Sequence, residues 1–216
     1  MGTKYRMTDE TIEVDGKTLH RIEALIDIPY AKVKAGDKGG FIESEENLSQ
    51  EGNCWVDDNA KVSEDARVSG NARVFGDARV FGDARVFGAA QVYENAQVYD
   101  NAQVYDNALV FSDAHIYGDA VVSGNAEVSG NAKVTDNVWV TDNVWVSGNA
   151  QVSGNAWVTD NAVVSGNAWV SGAAHVYDDA CVYGNAEVSG NARVSGNADV
   201  GGNAVVSEFA RVSGNS

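Results

Sequence analysis

The sequence predicts an all-β protein whose short strands coil around one narrow core. Three observations carry this prediction. A six-residue period runs without insertion from Cys54 to Ser216, an aliphatic residue recurs at every sixth position from Val56 to Val212, and a turn-forming pair follows most of these residues. A fixed short period is the signature of a repeat architecture. The 44% apolar and 21% charged residues of this 216-residue chain fit a folded protein.

The repeating unit reads A-x-V-x-G-N. The small residue and the valine are two positions apart, so a strand turns both to one side and both variable residues to the other. The 27 aliphatic positions keep this register, with Ile116 as the one exception to valine. Pairs such as Gly70-Asn71 and Asp100-Asn101 tolerate the left-handed backbone of tight corners. Strands of about four residues separated by two-residue corners, always apolar on the same side, predict a β-solenoid.

This pattern resembles the hexapeptide repeat of the left-handed parallel β-helix family. The resemblance covers residues 54–216 and implies a triangular solenoid in which three hexads complete an 18-residue coil. It also implies left-handedness. About nine coils at the strand spacing of roughly 4.8 Å would give a column about 43 Å long.

Residues 1–53 break the period and are predicted to form an N-terminal β cap. Thr11–Val14 and Lys17–Ile26 flank the turn pair Asp15-Gly16 and read as a hairpin. A solenoid needs its open ends covered, because an uncovered coil presents unpaired strand edges. At the carboxyl end, residues 211–216 remain in the repeat pattern, so we expect that coil either to be covered by another subunit or to be tolerated because its residues are small and polar.

The segment at 34–49 resembles the lead-in of uncharacterised hexapeptide-repeat proteins of phages and prophages. This resemblance implies a phage-like accessory protein and no particular activity.

The charge of the chain argues against two classes of partner. It carries 31 acidic and 15 basic residues, a formal charge of −16 and a pI near 4.4. Such a surface repels nucleic acid and anionic lipid. No apolar stretch reaches about 18 residues, and Met1–Asp9 lacks the pattern of a secretory signal. With Cys54 predicted inward and Cys181 outward, no intrachain disulfide is expected, and we predict a cytoplasmic protein.

Two enzyme families share the predicted architecture, and we expect the chain to differ from both. Gamma-class carbonic anhydrases bind zinc through three histidines, but His115 and His175 are ten hexads apart and fall on different faces, while His20 lies in the cap. Hexapeptide acyltransferases use a histidine base, a projecting loop and a subunit interface for acyl-CoA. No loop interrupts the hexads here. We therefore predict no catalytic residue, metal or cofactor, and keep a trimeric acyltransferase-like enzyme with His115 or His175 as base as the alternative.

Large aromatic residues follow the valines of the early coils on all three faces. With an 18-residue coil they fall into three columns, and Arg73, Arg79 and Arg85 form a ring beside them, which we expect to pair with Asp77 and Asp83. Ladder pairing alone would stabilise such columns, whereas an exposed apolar surface would mark self-association. We name these residues the aromatic girdle: Phe75, Phe81, Phe87, Tyr93, Tyr99, Tyr105, Phe111 and Tyr117.

A second set of residues gathers on one face of the later coils. Aromatic rings beside hydroxyls and carboxylates can hold a sugar ring or a cationic ligand, and a row of carboxylates can attract a hard cation such as calcium. A recent duplication of the hexads would explain the same pattern without any function. We name this set the tryptophan patch: Trp139, Trp157, His175, Thr141, Thr159, Tyr177, Asp142, Asp160 and Asp178.

These observations favour a non-enzymatic β-solenoid that forms homo-oligomers through the aromatic girdle. We expect it to bind a host protein or a small-molecule ligand on its outer faces, the tryptophan patch being the candidate ligand site.

Overall fold

The computed structural model describes residues 3–214, so Met1, Gly2, Asn215 and Ser216 lie outside the described residues. The predictions for the first residues and for the 211–216 end therefore fall partly outside them. An antiparallel hairpin and a third strand open the chain, with two short 3-10 helices, Pro29–Ala31 and Glu45–Asn47. These strands are β1 (Tyr5–Val14), β2 (Lys17–Ala24) and β3 (Lys38–Ile42).

The rest of the chain forms 27 short strands in three parallel sheets, which we label A, B and C. Sheet A continues from β1, β2 and β3 with β5 (Lys61–Val62), β8 (Arg79–Val80), β11 (Gln97–Val98), β14 (His115–Ile116), β17 (Lys133–Val134), β20 (Gln151–Val152), β23 (Trp169–Val170), β26 (Glu187–Val188) and β29 (Val205–Val206). Sheet B comprises β4 (Trp55–Val56), β7 (Arg73–Val74), β10 (Gln91–Val92), β13 (Leu109–Val110), β16 (Glu127–Val128), β19 (Trp145–Val146), β22 (Val163–Val164), β25 (Cys181–Val182) and β28 (Asp199–Val200). Sheet C comprises β6 (Arg67–Val68), β9 (Arg85–Val86), β12 (Gln103–Val104), β15 (Val121–Val122), β18 (Trp139–Val140), β21 (Trp157–Val158), β24 (His175–Val176), β27 (Arg193–Ser195) and β30 (Arg211–Ser213).

The predicted β-solenoid and its three-hexad register are confirmed. Each strand pairs in parallel with the strand three hexads away, as Gln91 does with Leu109 in sheet B. The backbone hydrogen bonds that join the coils are regular, for example 2.9 Å from the Arg85 nitrogen to the Ala102 oxygen. Because every third hexad returns to the same sheet, residue i lies beside residue i+18.

The strands are shorter than the four residues predicted, since most comprise two. In most hexads the N–H of the small residue bonds within the corner before it instead of joining the ladder, while its carbonyl oxygen still accepts a ladder bond. The Ala72 nitrogen, for instance, donates to the oxygen of Ser69 three residues earlier at 3.2 Å. The ladder N–H donors are therefore the residues on either side of the valine, and the carbonyl oxygens of the small residue and of the valine accept.

Coiling also reaches into the N-terminal segment. Phe41 and Ile42 pair in parallel with Lys61 and Val62, and Leu48 forms a parallel bridge to Val68. The offset between these partners exceeds three hexads by two positions, because the chain between Leu48 and Val56 is two residues longer than a hexad. With this partial coil the solenoid has about ten turns, and the antiparallel strands β1 and β2 cover its end as the predicted cap.

The core is a thin column of valine and alanine. The valines of successive hexads are almost completely buried up to Val194, and the alanines beside them are equally buried. Val138 and Val144 occupy small-residue positions and are also fully buried. Alternating a large and a small side chain lets the three inner faces meet without voids.

Hydrogen bonds reinforce the corners of the column. Asparagine amides donate to the next coil, as Asn149 Nδ2 does to Asn167 Oδ1 at 2.9 Å. The residue before each asparagine position has a positive φ and is in most hexads glycine or aspartate, such as Gly124 and Asp142; the others are Glu64, Glu94, Ser112 and Glu208. Glycine adopts this conformation without steric cost, and aspartate tolerates it.

Candidate functional site

Each hexad sends two side chains outward, one just before the valine and one just after it. We call these the first and second outward positions. Because the inner positions are uniform along the column, all variation in chemistry lies in these two positions and at the corners.

The aromatic girdle occupies the second outward position on all three sheets. Its rings stack nearly parallel along the column, with centroids 4.9 Å apart for Phe75 and Tyr93 and for Phe81 and Tyr99. The girdle residues are half-buried, since each ring covers the face of its neighbour. This burial raises the pKa of Tyr93 and of Tyr99 above the ordinary tyrosine value. The remaining stacks are Phe87–Tyr105, Tyr93–Phe111 and Tyr99–Tyr117.

The prediction that the arginine ring pairs with Asp77 and Asp83 is wrong. The guanidinium of Arg73 lies 4.9 Å from the Phe75 ring centroid, and that of Arg79 lies 5.3 Å from the Phe81 ring centroid. Arg79 forms its ion pair with Asp15, in the turn of the cap hairpin. Neither Asp77 nor Asp83 forms an ion pair with Arg73, Arg79 or Arg85 within the described part of the chain.

In the tryptophan patch, sheet C brings three rings of the first outward position into one column. Trp139 and Trp157 stack with centroids 5.8 Å apart, and Trp157 and His175 stack at 5.6 Å with planes 4° apart. Both indoles remain exposed, at 43% and 47%. The structure thus places these three predicted residues together.

The hydroxyls and carboxylates of the patch form hydrogen-bonded pairs beside the rings. Thr141 donates to Asp142 Oδ2 at 3.0 Å and Thr159 to Asp160 Oδ2 at 2.9 Å. The same Oδ2 atom of each aspartate also accepts a backbone N–H from the next coil, which for Asp178 is that of Gly196 at 2.9 Å. Within residues 3–214 the Oδ1 atoms of these aspartates have no hydrogen-bond partner. A row of three available carboxylate oxygens therefore follows the corner, while Tyr177 ends the hydroxyl column.

The stacking limits what the rings can bind. The faces of Trp139 and Trp157 that point toward each other are covered, as is the face between Trp157 and His175. The edges of the rings remain open to solvent. A sugar that needs an open ring face finds none inside this stack, whereas an apolar stem lying across the edges is accommodated.

The histidines do not come together. His115 lies on sheet A with its ring 6.2 Å from Tyr99 in an edge contact, His175 lies on sheet C, and His20 Nδ1 lies 3.0 Å from the Thr8 oxygen in the cap. Burial lowers the pKa of His115, helped by Lys133, and burial with Arg193 lowers the pKa of His175. No group of three or more His, Cys, Asp or Glu side chains within residues 3–214 is arranged to hold a metal ion.

Three exposed features were missed by the sequence reasoning. Trp145 on sheet B and Trp169 on sheet A are exposed at 55% and 49%, one on each face that the predicted patch leaves out. Arg67 lies beside Arg85 in the register of sheet C. Reading the first outward positions of every third hexad along the whole chain, rather than near the aromatic residues alone, would have found the arginine pair.

Comparison with known proteins supports the repeat. Four stretches of the chain match the family model described as YdcK Beta solenoid repeat, at residues 66–80, 78–94, 102–116 and 150–166. Comparison with curated proteins gives no match. No helix in the described part of the chain has the length and apolar character that a membrane span requires. The repeat and the three parallel ladders show that the chain is a repeat-containing β-helix protein. In those four stretches it is similar to the YdcK β-solenoid repeat.

Proposed function

We propose that this chain is a non-enzymatic binding scaffold whose tryptophan patch holds a basic segment of a partner protein. The observation that carries the proposal is the exposed stack of Trp139, Trp157 and His175 beside three aspartates with unpaired Oδ1 atoms. Lysine and arginine side chains suit such a surface, because their methylene stems pack on apolar edges while their charged heads reach the carboxylates. The net charge of −16 attracts such a partner from a distance.

The extent of the patch along the column follows from its neighbours on sheet C. Val121 and Ser123 are buried before it, and Arg193 follows His175 in the register. Arg193 would repel a cationic segment, so the proposed surface spans the three coils from Trp139 to Asp178. A basic segment of a few residues in extended conformation matches this length.

Self-association through the aromatic girdle is a second part of the proposal. The girdle surrounds the column on all three sheets, which favours lateral contact between copies. Its half-buried rings leave only their edges for such a contact, so we expect a weaker association than a fully exposed patch would give.

The cellular setting is proposed on narrower grounds. Cys54 and Cys181 are both free thiols, which suits a reducing compartment such as the cytoplasm. The phage-like accessory role rests on the lead-in at 34–49 alone.

The acyltransferase-like trimer remains the competing hypothesis. The lowered pKa of His175 favours a neutral imidazole, the form that a general base needs. Against it, the 27 hexads run without the projecting loop that such enzymes use.

A peptide titration tests the proposed function. Hexa-arginine is added to the protein and binding is followed by tryptophan fluorescence and calorimetry. W157A and D160N should each weaken binding about three- to fivefold, as expected for one exposed aromatic or ionic contact. The matched controls are W169A, an exposed indole on sheet A between the corner glycines Gly166 and Gly172, and D100N, which removes the same charge from a corner of an early coil where Asp100 Oδ2 also accepts a backbone N–H.

Equal weakening by the control variants would mean attraction by net charge alone and would contradict the proposal. Two further ligands separate the other hypotheses. Maltohexaose binding that W157A abolishes would identify a carbohydrate site, and saturable stabilisation by acetyl-CoA would favour the enzyme.

A further inference from the structure

Three nearly identical hexads place the same side chains on the three sheets at one level of the column. Each contains Arg-Val-Phe-Gly, at residues 73–76 on sheet B, 79–82 on sheet A and 85–88 on sheet C. Equal sequence on an equal backbone predicts equal contacts. Differences among the three arginines therefore point to a local role.

On sheets A and B the arginine is used within the chain. Arg73 lies over the ring of Phe75, and Arg79 lies over Phe81 and pairs with Asp15. These contacts leave the Arg79 side chain only 32% exposed.

On sheet C the arginine differs. Arg85 is exposed and has neither a ring contact nor an ion pair within residues 3–214. The corner that follows it carries Ala89, where the other two hexads carry Asp77 and Asp83. The third hexad thus has an unpaired guanidinium and lacks a corner carboxylate.

A second arginine lies directly beside it. Arg67 and Arg85 are register partners in parallel strands, and the Arg67 side chain is 61% exposed, with one carboxylate, Glu46 Oε2, 4.0 Å away. Like charges opposite each other on a sheet are destabilising. Such local conflicts are expected where a protein binds something.

The two arginines border a groove of about 270 Å³ lined also by Ser69, Phe87 and Gln103. One face of the Phe87 ring stacks on Tyr105, with centroids 4.7 Å apart. On its other side the column continues with Ser69, which is too small to cover the ring. The groove therefore combines an open aromatic face with two guanidinium groups.

We propose that this groove binds an oxyanion carried on a flat aromatic ring, an aryl carboxylate or an aryl phosphate. The ring lies on the open face of Phe87, above Ser69, and continues the Phe87–Tyr105 stack. The anion lies between Arg67 and Arg85, whose planar donor groups match carboxylate and phosphate oxygens. This site is independent of the tryptophan patch, from which Val121 and Ser123 separate it on the same sheet.

A titration monitored by calorimetry tests the proposal with four probes: phenyl phosphate, benzoate, inorganic phosphate and phenol. Phenyl phosphate or benzoate should bind more tightly than inorganic phosphate, and phenol should not bind measurably. The comparison of the first two identifies which oxyanion the groove prefers. R85Q should weaken binding at least about tenfold, because one of two charge-assisted contacts is lost.

The matched control is R73Q, the equivalent arginine whose guanidinium is already used by Phe75, and it should leave binding unchanged. S69F should abolish binding of the aryl probes, because its ring takes the place of the ligand's. Circular dichroism confirms that each variant is folded. Equal loss in R85Q and R73Q, or aryl probes that bind no better than inorganic phosphate, would overturn the proposal.

Discussion

The early and late coils of the solenoid have the same core and different surfaces. In the early coils the aromatic residues stand after the valine, stack at about 4.9 Å and are half-buried. In the later coils tryptophans stand before the valine and are exposed by 43–55%. Valine and alanine are buried equally in both regions. The repeat thus separates a uniform buried core, which the inner positions provide, from a variable surface chemistry, which the outer positions provide.

The largest effect expected from this separation is in the core. V98A in the early coils and V164A in the later coils should each lower the free energy of unfolding by about 2–3 kcal/mol, since each removes two buried methyl groups and leaves a cavity. Urea denaturation measures this loss. V205A removes the same atoms from an exposed position and should change stability by less than about 0.5 kcal/mol. Markedly unequal losses at the two core sites would refute the idea of a uniform core.

A smaller effect is expected from the girdle. The triple substitution F81S, Y99S and Y117S removes two stacked pairs and should lower the free energy of unfolding by about 1–3 kcal/mol. If the girdle joins copies of the chain, the mass measured by light scattering should also fall.

The control is W145S, an exposed indole for which no ring contact is found among the described residues, and it should change stability by less than about 0.5 kcal/mol. An unchanged mass in the triple variant would remove self-association from the proposal.

The smallest effect concerns the two histidines, one in each region. Burial lowers the pKa of both His115 and His175, so their NMR titrations should have inflections below the ordinary value of about 6.5. At a pH between the lowered histidine pKa of the folded chain and the ordinary histidine pKa, the unfolded chain binds more protons than the folded chain. Stability should therefore decline as the pH falls below about 6.5, and the decline should be shallower in H115N and H175N. An inflection above about 6.5 for either residue would contradict this expectation.

Much of the fold could be predicted from the sequence, because each hexad repeats the same local rule. The spacing of Ala72 and Val74 gives the inner face, and Asp15-Gly16 gives the hairpin of the cap. The pairing of Ile42 with Val62 could not be predicted in this way, since two additional residues between Leu48 and Val56 lengthen that coil beyond three hexads.

The candidate sites were predictable as columns but not as surfaces. Placing Trp139, Trp157 and His175 together needs only the register. Knowing that their inner faces are covered requires the ring orientations. The Asp15–Arg79 contact joins residues 64 positions apart, across the boundary between cap and column. No local sequence pattern therefore indicates that Arg79 has an ion-pair partner and that Arg85 has none.

The three-hexad register also constrains how such a chain can change in length. Duplicating three hexads inserts one complete coil and leaves every outward column on its sheet. Duplicating one hexad rotates everything downstream by one side of the triangle, which would carry the Trp139 stack away from the sheet that bears Arg67 and Arg85. The two surfaces thus lie on the same sheet only because the number of hexads between them is a multiple of three. The gain or loss of a single hexad between them would place them on different sheets without disturbing the core.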